Sequence, residues 1–277
     1  MTVTDIRFDW NPSMDAAPES LRGYPAEMGE SGGYTLSAMS GCVREMVGRL
    51  ASRRGTPRLG YVTMRLKEPG SGADRVYDLS DFTIVELPWD PLPMFGADDL
   101  GRKEMALDII RAGMGELAAR TGADVAHVLR ACEEVRRAGY ENRWVWRRRR
   151  APSKMVAEAV VEHDSESVAV SLVVYGRQGQ MMRDVPVARI PAVPHTWPFY
   201  NDYLGELSWE GETAVLEGRG GVRVEVDMGA GEVRRSGEPQ FDPPALALLG
   251  QRDVDFPGQG PSLPSYFNDL DKNHLDY

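Results

Sequence analysis

An α+β fold, with helices packed on a largely antiparallel meander sheet, is what three observations in this 277-residue sequence predict. Apolar residues recur at helical spacing in three segments. Four strand-like runs follow one another between 142 and 190. The loops between those runs are too short for the crossovers that parallel strands require. A chain of this length buries roughly three quarters of its unfolded surface, so it needs no disulfide or metal staple.

The elements follow in order. Residues 1–33 read as an irregular lead-in, with Pro12, Pro18 and Pro25 and glycines ending at Gly33. From Thr35 the stripe Leu36, Met39, Val43, Val47 and Leu50 predicts a helix, closed by Arg53, Arg54 and Gly55. Two strand runs, 58–66 and 75–87, then predict a hairpin across the turn-rich stretch 67–74, which completes a subdomain over 34–95. Pro88, Pro91 and Pro93 mark a seam. Asp98 can cap the next helix, whose stripe is Leu107, Ile110, Met114 and Leu117 and whose stop is Gly122. Asp124 can cap another, with Val125, Val128, Leu129, Cys132 and Val135 inward and Gly139 at its end. These helices and strands at 142–150, 154–163, 167–175 and 181–190 make a region over 96–200, with Pro186 suited to an edge strand. The last region, 201–277, holds a small β-hairpin at 213–217 and 222–227, turning through Gly218 to Gly221. From about Gly237 it becomes an irregular acidic tail.

Charge narrows the function. The net charge is −10, and residues 201–277 carry −9 of it. Such a chain opposes nucleic acid and anionic membranes and attracts a basic protein partner. Arginine outnumbers lysine 28 to 4, the coding bias of a GC-rich bacterial genome, which discounts arguments built on arginine alone. No apolar run approaches the ~18–20 residues that span a bilayer, and MTVTDIRFDW has no signal-peptide pattern. The expectation is a cytoplasmic protein without cofactor.

Several constellations bear on chemistry. The run RWVWRRRR, Arg143 to Arg150, interleaves cations with Trp144 and Trp146, as polyanion sites do. As a strand paired with the next one, it instead sets Arg143 opposite Glu162, Val145 opposite Val160 and Arg147 opposite Glu158. The other face sets Trp144 against Val161 and Trp146 against Ala159, which reads as a salt-bridged strand. His163 lies between Glu162 and Asp164, yet alternation puts His163 on the apolar face with Met155, Ala157, Ala159 and Val161. Glu162 then points away, and Asp164 opens a turn. The segment around His195 is rich in aromatics, with Trp197, Phe199, Tyr200 and Tyr203, which could anchor a partner or plug the sheet. His127, His163, His195 and His274 show no metal-ligand spacing with Cys42 or Cys132, so no metal is expected. Asp269, Asp271 and Asn273 lack the glycine and distal glutamate of a calcium loop. Cys132 reads as a core thiol, while Cys42 lies one residue before the stripe position Val43.

Two functions stay open. One is a non-catalytic binding or regulatory module that meets a basic protein through Trp197, Phe199, Tyr200, Tyr203, Glu206, Glu210 and Glu212, inhibitor- or immunity-like by charge only. The alternative is an enzyme on a small molecule with an acid–base pair drawn from His195, His163, Asp202 and Glu162, or a structural assembly component.

Overall fold

A computed structural model describes residues 5–10, 31–52, 60–67, 69–70, 72, 75–78, 82–192 and 196–239, with backbone alone at 5, 31–35, 197 and 198. Among these residues, five helices and twelve strands in three sheets form an α+β fold. They fall into two compact units. The first draws on Met1–Arg143, Glu162–Val168 and Ile190–Thr196, and the second on Trp144–Val161, Ala169–Arg189 and Trp197–Tyr277.

The first unit begins with a strand, β1 (Asp5–Trp10), inside the stretch expected to be irregular. Its alternation is plain in retrospect: Ile6, Phe8 and Trp10 are buried, while Arg7 and Asp9 are half-exposed. The prolines that suggested an irregular segment all come after it. Helix α1 (Ser31–Ala51) follows, then β2 (Tyr61–Lys67), β3 (Val76–Asp78) and β4 (Phe82–Pro88). The expected hairpin between the runs 58–66 and 75–87 is not formed. β2 pairs in parallel with both β1 and β4, and only the short β3 runs antiparallel to β4, giving the order β1-β2-β4-β3. The second run thus holds two strands that fold on each other. Parallel pairing is possible because the β1–β2 connection contains a whole helix.

Helix α1 is buried nearly all round, so its apolar stripe is only part of its contact surface. It packs against β1 and against two further helices, α3 (Asp99–Thr121) and α4 (Ala126–Arg137), which follow the short α2 (Leu92–Gly96). Arg44 on α1 donates to the Ile6 carbonyl at 2.8 Å and so satisfies an acceptor on the edge strand β1. The punctuation of α3 is as expected: Asp98 accepts from the Gly101 N–H at 2.8 Å, and Gly122 closes the helix in the left-handed region at φ 72°. α4 starts one residue later than its aspartate suggested, with Val125 at the cap position, and Asp124 accepts from the Ala126 N–H.

The meander is β5 (Arg143–Arg150), β6 (Val156–His163), β7 (Ser167–Tyr175) and β8 (Met181–Pro191), adjacent in that order. β8 is an edge, which is where Pro186 can go without leaving a ladder acceptor unpaired. In the second unit, α5 (Trp197–Tyr203) leads into a further sheet of β9 (Gly205–Glu210), β10 (Thr213–Gly218), β11 (Arg223–Asp227) and β12 (Val233–Ser236). The hairpin expected at 213–227 is therefore the centre of a four-stranded antiparallel sheet. Trp209 Nε1–H donates to the Arg149 carbonyl at 3.1 Å, and Arg235 donates to the Pro186 carbonyl. These bonds tie β9 to β5 and β12 to β8.

Candidate functional site

The densest group of polar side chains in the first unit lies around α1. Glu45, one turn after Cys42, sends Oε2 to within 2.6 Å of His163 Nδ1. Arg49, a further turn along, donates to Asn142 Oδ1 at 2.6 Å, and Asn142 Nδ2 donates to the Cys42 carbonyl at 3.1 Å. The His163 N–H closes the group on the Asn142 carbonyl at 3.0 Å. From α3, Asp99 accepts from the Ser165 N–H and hydroxyl at 3.1 and 2.7 Å and from Lys103 Nζ at 2.7 Å. Arg102 reaches Glu166 at 3.5 Å.

The local sequence explains how these side chains are held. His163 ends the buried face of β6, as its alternation with Ala157, Ala159 and Val161 requires. Asp164 then accepts from the N–H groups of Glu166 and Ser167, the turn expected of it, which presents Ser165 toward α3. Asn142 follows Gly139 and Tyr140, both at positive φ, 65° and 60°. That reversal is an unusual conformation for tyrosine and sets the direction in which the chain enters β5.

The electrostatics separate a neutral half from a charged half. Burial pushes the Cys42 thiol up to about 12, although the Lys103 ammonium opposes this. The thiol is therefore a neutral core group and not a nucleophile. For Asp99, burial acts to raise the carboxyl, but Lys103 and the Ser165 donors outweigh it and hold it below its ordinary range. The Glu45 carboxylate at Nδ1 fixes the orientation of the His163 ring. Nε2 is buried and makes no hydrogen bond among the described residues. A carboxylate-oriented imidazole is the form in which histidine acts as a base or ligand. Its side chain, however, is only 1% exposed. No three His, Cys, Asp or Glu side chains among the described residues gather as metal ligands, and no described helix is long and apolar enough to cross a membrane.

The remaining expected site residues lie elsewhere. Glu162 is exposed and pairs with Arg143 at 2.9 Å, as the strand register anticipated, so the acid beside His163 in sequence is not its partner in space. At the other end of the hairpin, Glu158 binds Arg148 rather than Arg147. The backbone bonds account for it: His163 to Asn142 and Ala151 to Met155 belong to registers one residue apart, so the ladder takes up an extra residue between them. His195 lies outside the described residues, as does the tail with Asp269, Asp271, Asn273 and His274.

Phe199 and Tyr200 are in the interior of the second unit, at 1% and 7% exposure, with Tyr200 edge-on to Trp144 at 6.1 Å. Tyr203 is half-buried, and burial and the neighbouring Asp202 raise its hydroxyl. Of Trp197, only its backbone place in α5 is described. Asp202 is fully buried beside Gly218 and Gly220, where any added Cβ would overlap Asp202 itself.

The glutamates expected to meet a partner share one sheet. Register puts Glu206, Glu210, Glu217, Glu225 and Asp227 on one face of β9–β11, with Arg223 and Arg234. Arg223 bonds Glu210, Glu225 and Glu217 at 2.7, 2.8 and 3.0 Å, and Arg234 bonds Glu225 at 2.9 Å. Five carboxylates against two guanidiniums leave this face negative by three. Glu206 stands directly opposite Glu217, and Glu212 is exposed at the turn. The opposite face carries Leu207, Ala214, Leu216, Val224 and Val226, all buried.

Glu45, Arg49, Asp99, Lys103 and Asn142 went unnoticed in the sequence. Their signal was at most local: a polar residue beside the apolar stripe of α1, and an acid after the Asp98 cap. Compared with known proteins, the chain matches no family model, no curated protein and no solved structure.

Proposed function

We propose that the chain is a non-catalytic binding protein of the cytoplasm that offers the acidic face of its C-terminal sheet to a basic protein partner. The observation that carries this reading is Glu206 facing Glu217. Like charges directly opposite in a sheet are destabilising, and Arg223 is already shared among three carboxylates. A lysine or arginine from outside would remove that repulsion, so the face gains more from a basic partner than from solvent. The test is capture of partners from the native lysate by the tagged protein, in low and in high salt, beside the variant Glu206→Lys/Glu210→Lys/Glu212→Lys. A basic protein held in low salt, lost in high salt and lost by the folded variant is the expected result. Capture that survives the charge reversal in low salt refutes the reading.

A second reading, an enzyme acting on a small molecule, is favoured by the Glu45–His163 contact with its unused Nε2. It expects at least one metabolite to raise the melting temperature of the wild type and not of His163→Gln. A metabolite series that shifts neither protein rejects it.

A further inference from the structure

The meander of the second unit ends in a group of cations that form no ion pair among the described residues. Hairpin loops join β5 to β6 and β7 to β8, closed by Ala151 N–H to the Met155 carbonyl and Gly176 N–H to the Gln180 carbonyl. Alternating strand direction puts both loops at the same end of the sheet. With strands about 4.8 Å apart, the two tips stand roughly 10 Å from each other. On or beside them lie Arg149, Arg150, Lys154, Arg177 and Arg183, all exposed. None of the five forms an ion pair among the described residues, although Arg143 and Arg148 on the same β5 do. Among the described residues, Asp184 and, at the turn end of the neighbouring sheet, Glu210, Glu212, Asp227 and Glu232 are the nearby acids, and none forms an ion pair with the five. Met181 and Met182 are 62% and 46% exposed between these cations, large apolar side chains that add contact area where the charges meet a surface.

We infer that this basic, methionine-bearing rim docks a second copy of the chain, at the acidic face of its C-terminal sheet. The inference rests on that face from the function proposed above and adds, beside the basic protein partner, a second occupant whose basic rim meets it. Charge complementarity carries the choice. The rim holds five cations with no ion pair among the described residues. The face holds three uncompensated negative charges with Glu206 among them, and both belong to every copy. The rim lies at the turn end of the C-terminal sheet and the Glu206–Glu217 pair at the other end of the face, so the contact is head-to-tail and adds copies in series instead of closing a two-fold dimer. The net charge of −10 opposes any such approach at long range. At physiological salt the Debye length is about 8 Å, so the facing patches outweigh the more distant charges.

Sedimentation velocity on the full chain, from micromolar to roughly millimolar concentration, reads this directly. At about 0.1 M salt, where screening acts over about 10 Å, weight-average mass should rise with concentration. At about 1 M, where it acts over about 3 Å, the rise should vanish. Arg149→Glu/Arg150→Glu should weaken association roughly tenfold or more, and Glu206→Lys/Glu217→Lys, at the end of the face away from the rim, should do the same. Lys154→Glu/Arg177→Glu, placed in exposed loops, repeats the rim test away from the strand, with thermal melts showing that each variant is folded. Mixing the rim-reversed with the face-reversed protein should restore association, because each now presents the charge the other lacks. A chain that stays monomeric throughout overturns the inference. So does association indifferent to salt or to the rim, or a mixture that fails to associate. Should the wild type be monomeric while the face reversal still costs it a basic lysate partner, the proposed function stands and this inference alone falls.

Discussion

Gly113 is where the packing of the first unit can be tested most sharply. It lies on α3 over β2, and a Cβ built there would overlap Met64 Sδ and come within 2.7 Å of Cε and 3.3 Å of Cγ. Met64 is fully buried, so its side chain cannot swing out into solvent. Gly113→Ala has two opposed effects. Alanine favours the helix interior by about 0.8–1 kcal/mol. Overpacking a filled core costs about 1–3 kcal/mol. The balance is a net loss of about 1 kcal/mol, or a fall of about 2–4 °C in melting temperature for a chain of this size. Met64→Ala alone removes a buried thioether and should cost about 2–5 kcal/mol. In the double variant, the methyl group added by Gly113→Ala enters the space Met64 leaves, so the two effects should fall short of additivity by about 1–2 kcal/mol. Urea denaturation of the four proteins, followed by tryptophan fluorescence, measures the cycle. A Gly113→Ala protein stabilised by the full propensity gain, or a strictly additive cycle, would show that α3 does not approach β2 as described.

Two further outcomes concern titrating groups. His127 is buried on α4, and that burial outweighs the nearby Asp124 and holds its pKa below the ordinary 6.5. The unfolded chain therefore binds a proton that the native state resists, so stability should decline as pH falls through about 6.5 toward the lower native value. His127→Leu should flatten that part of the curve in denaturation at several pH values, and an unchanged slope would count against the buried neutral ring. Burial likewise pushes the thiols of Cys42 and Cys132 up to about 12. Iodoacetamide at pH 8 should leave both unmodified in the native protein and alkylate both in denaturant; native alkylation of either would contradict its burial.

Local rules were enough to read much of the architecture. Asp98 and Gly122 bound α3, Asp164 makes its turn, Pro186 sits on an edge, and Arg143 meets Glu162, because each depends on neighbours within a few residues or on one hairpin register. What escaped depends on long separations. β1 pairs with β2 in parallel from far along the chain, and alternation alone cannot tell a parallel partner from an antiparallel one. Glu45 meets His163 across 118 residues, a contact that neither residue's surroundings announce. The offset between Arg147 and Arg148 shows the same limit at short range. A uniform register set Glu158 against the wrong arginine because the extra residue in the ladder leaves no mark in the alternation.

The segment Glu162–Val168 belongs to the first unit, whereas most of the strands on either side of it belong to the second. No single cut in the chain therefore releases either unit whole. A fragment ending at Arg143 would keep Glu45 with Arg49, Asp99 with Lys103 and Arg102 with the Met94 carbonyl, but lose the contacts of these three with His163, Ser165 and Glu166. Expressed alone, such a piece should be less stable than its apolar core implies. Because each unit is discontinuous, a single crossover within the chain cannot exchange one unit whole for another.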